Sequence, residues 1–145
     1  NPVNGYDIED LEVGMTDSFS KTITEADIVM FAGASGDVNG VHLDEEFAKT
    51  TPFGGRIAHG ILTAGVISAA VANRLPGPGC IYMSQNLQFR APVRPGDTVK
   101  ATVTVTDVNV PKKRVSLETI CTVGDTVVIK GDAMMMTTSR ADRGE

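Results

Sequence analysis

The residues of this sequence best suited to chemistry lie in one short stretch, positions 36–42, which reads GDVNGVH. It places the carboxylate of Asp37 five residues before His42, one of only two histidines in the chain. A carboxylate and an imidazole that share a water molecule can take a proton from it and deliver one to a substrate. Taken singly, Asp37 and Asn39 are also typical loop residues that hydrogen-bond their own backbone, and a lone histidine is more often structural. The stretch therefore predicts either an acid–base site or a polar turn.

The second histidine opens a long apolar segment, positions 58–75, which reads AHGILTAGVISAAVANRL. Because this segment has no polar face, we expect a buried helix. Gly60 lies at its start, where backbone N–H groups lack intrahelical acceptors and the helix dipole favours negative charge. Amides in this position can stabilise an oxyanion. His59 is expected either to position the start of this helix or to hydrogen-bond a backbone carbonyl.

Helical spacing also precedes the GDVNGVH stretch. Thr24 is suited to be an N-cap, and Ile28, Phe31 and Ala32 recur at helical intervals up to a break at positions 33–36. A short second helix is predicted over positions 44–49, with Phe47 directed inward. The acid–base candidates would then lie on a loop between two helices.

The second half of the chain has a period of two, rich in Val, Ile and Thr, which indicates half-buried strands. In positions 98–110, for example, Val99, Ala101, Val103 and Val105 fall on one face. Strands are predicted at positions 17–23, 81–89, 98–110, around 115–121, and 126–138. The pattern favours the α+β class, with an antiparallel sheet wrapped around one long buried helix.

Composition excludes several classes of protein. The net charge is -5 and the sequence has no dense run of Lys and Arg, which argues against nucleic-acid binding. No apolar run approaches the roughly 20 residues that span a bilayer, so we expect no membrane association. The two cysteines, Cys80 and Cys121, lack metal-ligand spacing and the density of a disulfide scaffold. We therefore expect reduced cysteines and a cytoplasmic location.

A set of spaced residues resembles a known family. The set comprises Phe31, Ser35, Gly36, Asp37, Asn39, His42 and Asp44, followed by His59 and Gly60. It is similar to the hydratase-2 motif of MaoC-like, (R)-specific enoyl-CoA hydratases, and positions 75–97 resemble the short, polyhydroxyalkanoate-linked members. The resemblance implies one hot-dog domain over positions 1–145, with a core at about 14–138. The catalytic motif would lie on an overhanging segment of loops and short helices.

The resemblance also implies a reaction and roles. The reaction would be hydration of trans-2-enoyl-CoA to (R)-3-hydroxyacyl-CoA and the reverse dehydration. Asp37 and His42 would hold the catalytic water, with the choice of base and acid left open. Gly60 would supply an oxyanion amide, with His59 beside it and Asn39 bracing the loop. Ser68 matches a serine near the active site in short relatives, or else it bonds a carbonyl of the preceding turn.

Cofactors and partners follow from the same resemblance. No metal or other cofactor is expected, since coenzyme A is part of the substrate. The expected assembly is a homodimer or a dimer of dimers. Candidates for binding the coenzyme A phosphates are basic residues near strand ends, although each is also an ordinary solubilising charge. They are Arg90, Arg94, Lys112, Lys113 and Arg114.

Two departures from the family pattern stand out, because Gly40 and Glu45 lie where proline is usual. Glycine makes the loop before His42 costlier to order, unless the position needs a φ value that proline forbids. Two other functions remain open. One is dehydration on acyl carrier protein or on an unusual branched or dicarboxylic acyl-CoA. The other is a thioesterase or thioester-binding hot-dog protein.

Overall fold

The computed structural model describes residues 4–145, so the first three residues of the predicted domain lie outside the described residues. It contains five strands and four α-helices among those residues. The strands are β1 (Thr16–Thr22), β2 (Ile81–Phe89), β3 (Thr98–Asn109), β4 (Arg114–Val123) and β5 (Thr126–Met136). The helices are α1 (Glu25–Ser35), α2 (Gly40–Leu43), α3 (Glu45–Ala48) and α4 (Gly60–Asn73). No helix among residues 4–145 combines the length and the apolar character needed to cross a bilayer.

The five strands form one antiparallel sheet in the order β1-β3-β4-β5-β2. The alternation in β3 is confirmed, because Val99, Ala101, Val103 and Val105 are all at most 1% exposed. Helix α4 packs against β1, β3 and β4 and shares the core with their inward side chains. This is the predicted hot-dog architecture.

Helix α4 is less enclosed than its sequence predicts. Its inward face is buried and includes Thr63, Val66 and Ile67, whereas Ile61 is 58% exposed and Ser68 is also exposed. The prediction of a helix buried all round is therefore wrong for the single chain. Small and apolar side chains at these positions give the helix no polar face, although one side of it is not covered.

Two details of the helical segment correct the sequence prediction. Helix α1 continues through the predicted break at Gly33 and ends at Ser35, where Gly36 takes a left-handed φ of 83°. Phe47 is 49% exposed instead of directed inward, and the buried residue of α3 is Ala48. A helix of four residues has only one buried position to offer, and the alanine occupies it.

Candidate active site

Asp37 emerges directly from the C-terminus of α1. After the left-handed turn at Gly36, its N–H donates to Ser35 Oγ at 3.1 Å. Its Oδ1 accepts a hydrogen bond from the backbone N–H of Asn39 at 3.3 Å. Asn39 in turn caps α2, because its Oδ1 accepts from the N–H of Val41 at 3.0 Å. One carboxylate oxygen of Asp37 is thus used to shape the loop, and the other is left for chemistry.

His42 lies on α2 and is 9% exposed. Its Nδ1 is 2.8 Å from the carbonyl oxygen of Ile57. Since a carbonyl can only accept, Nδ1 carries the proton and Nε2 of the neutral ring is an acceptor. That Nε2 lies 3.9 Å from Oδ2 of Asp37. The separation is too long for a direct hydrogen bond but short enough for one molecule of water to bond both atoms.

His59 contacts both members of this pair. It is 2% exposed, and its Nε2 donates to the backbone carbonyl of Asp37 at 2.9 Å. Its ring stacks on that of His42, with centroids 3.9 Å apart, and the edge of Phe31 packs against it at 4.8 Å. The structure shows the predicted bond to a backbone carbonyl, and a role of His59 in positioning the start of α4 stays a prediction.

The segment that contains Ile57 forms backbone hydrogen bonds with two other parts of the chain. The N–H of Ile57 donates to the carbonyl of Val41 at 3.1 Å, and the N–H of Ala58 donates to the carbonyl of Val93 at 2.7 Å. Residues 56–59 thus connect the catalytic loop to the segment that follows β2. We call them the strap. The strap fixes the tautomer of His42 through a backbone carbonyl, which sequence patterns do not reveal.

Gly60 begins α4 immediately after the strap, and His59 provides no side-chain cap for its first amides. An added Cβ at Gly60 would lie 2.6 Å from Cε1 of Phe89, so the ring of Phe89 packs directly over this backbone. Beside it lies a largely apolar cavity of about 430 Å³ whose lining includes Phe53, Ile57, Gly60 and Phe89. Asp37 and His42 do not line this cavity, but Ile57, which lines it, also bonds His42 through its carbonyl.

The other predicted residues divide into near and distant groups. Arg90 lines the cavity, and Arg94 donates to the carbonyls of Phe53 and Gly55. Lys112 and Arg114 lie at the opposite end of the sheet, in and after the turn between β3 and β4. In this chain the basic candidates do not form a single cluster.

Two other predicted residues, Lys113 and Ser68, also lie away from the Asp37–His42 pair. Lys113, in the same turn as Lys112, pairs with Asp142 at 2.6 Å. Ser68 is exposed on α4, two turns beyond Gly60.

The departures at Gly40 and Glu45 each have a structural partner. Gly40 has a negative φ, so left-handed geometry does not explain it; a Cβ there would lie 2.9 Å from the ring of Phe47. Glu45 accepts a hydrogen bond from the N–H of Arg56 at 3.4 Å and lies 3.5 Å from Nε of that arginine. Arg56 also bonds Glu25. The sequence reasoning missed Arg56, although two acidic helix starts suggest a basic partner.

Among the described residues, one group could bring three ligand atoms to a metal ion, since such atoms of Asp37, His42 and His59 lie within 4.8 Å of one another. However, the two imidazole rings stack with 29° between their planes, and each donates an N–H to a backbone carbonyl. Zinc needs ring nitrogens at about 2.0–2.1 Å that converge on it, so the rings would have to turn apart. Nδ1 of His59 is buried without a hydrogen-bond partner, and the expectation that the site needs no metal stays a prediction.

Comparisons with known proteins agree with this architecture. The MaoC-like domain family matches residues 11–130. An (R)-specific enoyl-CoA hydratase from Rhodospirillum rubrum is 54% identical over 132 residues, covering 91% of this chain and 92% of the relative. A 3-hydroxybutyryl-CoA dehydratase from Methylorubrum extorquens is 53% identical over 127 residues, covering 88% and 81%.

Among solved structures, the R-hydratase PhaJ1 from Pseudomonas aeruginosa, in its unliganded form, superposes with a TM-score of 0.87. It is 42% identical in sequence, and the match covers 93% of this chain and 87% of that one. The resemblance found in the sequence motif thus extends over nearly the whole backbone.

Proposed function

Because the chain belongs to the MaoC-like domain family, we propose that it interconverts trans-2-enoyl-CoA and (R)-3-hydroxyacyl-CoA by adding or removing water. The observation that carries the proposal is the 3.9 Å separation of Asp37 Oδ2 and His42 Nε2 beside the start of α4. The names of the relatives, an (R)-specific enoyl-CoA hydratase and a 3-hydroxybutyryl-CoA dehydratase, support the same reaction.

The pair would act on one shared water molecule. Both Asp37 Oδ2 and the unprotonated Nε2 of His42 are acceptors. A water molecule between them therefore donates one hydrogen bond to each, which leaves a lone pair of its oxygen free to attack the substrate. In the hydration direction that oxygen bonds to the β carbon of the enoyl thioester. The proton it loses passes to the pair, and the pair delivers a proton to the α carbon. Positioned proton transfer of this kind contributes about 10²- to 10⁴-fold to the rate.

The negative charge on the thioester oxygen would be met by the uncapped amides at the start of α4. Gly60 and the next residue present their N–H groups beside the apolar cavity, and the helix dipole adds to their effect. Loss of one such donor typically costs on the order of 3 kcal/mol of transition-state stabilisation. The cavity would receive the acyl thioester, and Arg90 at its edge is the basic candidate best placed for a phosphate.

The reaction as proposed needs no metal or redox cofactor, because it consists of proton transfers and the addition of water. We expect enzyme dialysed against a chelator to keep its full rate. Recovery of a lost rate on adding back a divalent ion would contradict this part of the proposal.

The test of the function is the loss of enoyl absorbance when enzyme is added to a short trans-2-enoyl-CoA. Wild type should be active and Asp37→Asn should fall by about 10²-fold or more, since the amide presents a weaker acceptor to the water. Asp142→Asn, which removes an exposed carboxylate bonded to Lys113, is the control and should stay active. Equal rates for wild type and Asp37→Asn would overturn the proposal, and release of free thiol would favour a thioesterase.

We also propose that two copies pair through β2 and the uncovered side of α4. β2 is an edge strand with exposed apolar side chains, including Ile81 at 57% and Met83 at 44%. Light scattering after gel filtration should give a dimer or a dimer of dimers, and Met83→Glu should shift it toward the monomer. Val110→Glu, an equally exposed site in the turn between β3 and β4, should leave the assembly intact.

A cytoplasmic location is the last part of the proposal. Cys80 is half-buried and Cys121 is buried, and both are free thiols. Unpaired cysteines suit a reducing compartment. Cell fractionation that recovers the protein with membranes or outside the cell would contradict this.

A further inference from the structure

We propose that Arg56 is a positioning residue that aligns Asp37 with His42, acting through Glu25 and Glu45. The kinetic test of this proposal rests on the proposed function. The Arg56 side chain is 16% exposed and reaches two carboxylates from different helices. Its Nη2 bonds Glu25 Oε1, and its Nε lies 3.5 Å from Glu45 Oε2. Its backbone N–H donates to the same oxygen of Glu45 at 3.4 Å. We call this group the Arg56 joint.

The Arg56 joint connects the elements that deliver both catalytic side chains. Glu25 is the first residue of α1, the helix that ends just before Asp37. Glu45 is the first residue of α3, which follows the turn that carries His42. Each carboxylate also lies at a helix N-terminus, where negative charge is favourable. A single guanidinium thus holds the starts of the helices on either side of the catalytic loop.

Arg56 also begins the strap. The next residue, Ile57, accepts from Nδ1 of His42 at 2.8 Å and donates to Val41 at 3.1 Å. His59, three residues on, donates to the carbonyl of Asp37 at 2.9 Å. A shift of Arg56 would therefore move the acceptor that fixes the tautomer of His42.

The residues on either side of His42 favour this role. Gly40 makes the loop costlier to order, and Glu45 supplies a carboxylate within reach of Arg56. That carboxylate and Glu25 raise the pKa of Arg56 above its ordinary value, chiefly through the hydrogen bond to Glu25. The joint thus supplies rigidity by ion pairing at the place where this chain lacks a stiff residue.

An isolated exposed ion pair contributes little to a protein, typically below about 1 kcal/mol. The pair formed by Glu46 on α3 and Lys49 just after it is of that kind, with the Lys49 and Glu46 side chains 58% and 87% exposed and 3.6 Å between charged atoms. Arg56 differs because it is largely buried and joins three segments at once. Lys49 therefore provides a matched control for loss of a positive charge beside the same helix.

The kinetic test compares Arg56→Gln with Lys49→Gln on a short trans-2-enoyl-CoA, each corrected for its folded fraction. Misplacement of reacting groups by about 1 Å costs up to about 10²-fold. We expect Arg56→Gln to lower kcat by roughly ten- to a hundredfold with KM little changed, and Arg56→Lys to restore part of the loss. Lys49→Gln should keep the wild-type kcat. Unchanged kcat in folded Arg56→Gln, or a loss explained by its folded fraction, would overturn the inference.

A second readout does not depend on catalysis. The chain has only two histidines, so nitrogen NMR of the imidazole rings resolves the tautomer of each. Wild type should show His42 protonated at Nδ1, and Arg56→Gln should move it toward a mixture of tautomers. Lys49→Gln should leave it unchanged. If wild type proves inactive on enoyl-CoA, the proposed function fails, and the NMR comparison alone decides whether Arg56 positions His42; an unchanged tautomer in Arg56→Gln would refute it.

Discussion

Gly60 packs closely against the ring of Phe89 and also provides a proposed oxyanion amide. A Cβ at this position would lie 2.6 Å from Cε1 of Phe89, a residue that is 52% exposed, so its ring is not packed on all sides. We therefore expect Gly60→Ala to cost only about 1 kcal/mol of stability, at the low end for overpacking. Its rate should fall by roughly tenfold, because the displaced ring lines the cavity beside the amides. Initial rates and urea denaturation measure the two effects.

The control for this prediction is a double variant. If the methyl group acts through the ring, Gly60→Ala with Phe89→Ala should lose less activity than the two single changes combined, since contacting residues are not additive. Strictly additive losses would mean that the methyl group disturbs the helix start by another route.

At the level of single residues, the sequence was informative where the chemistry depends on side chains. Asp37 and His42 were predicted from their types and spacing, and the structure brings them within 3.9 Å. Ile57 could not be predicted, because its contribution is a backbone carbonyl whose direction depends on the whole strap. The cause of Gly40 was equally hidden, since it depends on the ring of Phe47 across a turn.

Helix α1 is the element that brings Asp37 to the site, and its start is well capped. Thr24 Oγ1 accepts from the N–H of Asp27 at 3.1 Å, and the Asp27 carboxylate accepts from the N–H of Thr24 at 2.8 Å. The hydrogen bond from Lys21 and those from Thr24 hold the pKa of Asp27 at about 2, well below its usual value. The reciprocal cap fixes the first turn, while Gly36 ends the helix.

We expect Thr24→Ala to destabilise the protein by about 1 kcal/mol, the typical cost of losing an N-cap hydroxyl. Urea denaturation followed by circular dichroism measures this cost. Thr24→Ser retains the hydroxyl and is the matched control. A loss shared equally by the serine and alanine variants would point to the methyl group of Thr24 instead of the cap.

Among the elements, periodicity predicted the strands well and the helices less well. β2 was predicted with its observed bounds, because alternation and flanking turn residues limit a strand on both sides. The predicted helix over 58–75 is shorter at both ends in the structure, where it begins at Gly60 and ends at Asn73. Periodicity alone does not locate its open side, because apolar residues can face either a core or another subunit.

At the scale of the whole molecule, the two ends of the described chain are fastened to each other. Asp7 receives two hydrogen bonds from the guanidinium of Arg143, at 2.9 and 2.7 Å. Glu9 accepts from the hydroxyl of Ser139 and from the N–H of Arg140. We call these contacts the terminal clasp. It joins residues that are more than a hundred positions apart in the sequence.

The terminal clasp makes stability depend on pH in a defined direction. Bonding to Arg143 lowers the pKa of Asp7 from 3.8 to about 2, and bonding to Ser139 lowers the pKa of Glu9 from 4.5 to about 2. Because both pKa values are lower in the folded state, the stabilisation is fully present above about pH 4.5. It is lost as the pH falls toward 2.

The variant Asp7→Asn with Glu9→Gln should therefore melt below wild type at neutral pH, and the difference in Tm should shrink steadily below about pH 4.5. Thermal melts across that range, at low and at high salt, measure it. High salt should reduce the difference in Tm at neutral pH, since salt screens the ion pair between Asp7 and Arg143. A difference in Tm that stays constant with pH would mean that the clasp acts through packing or neutral hydrogen bonds, because only ionised carboxylates lose their advantage on protonation.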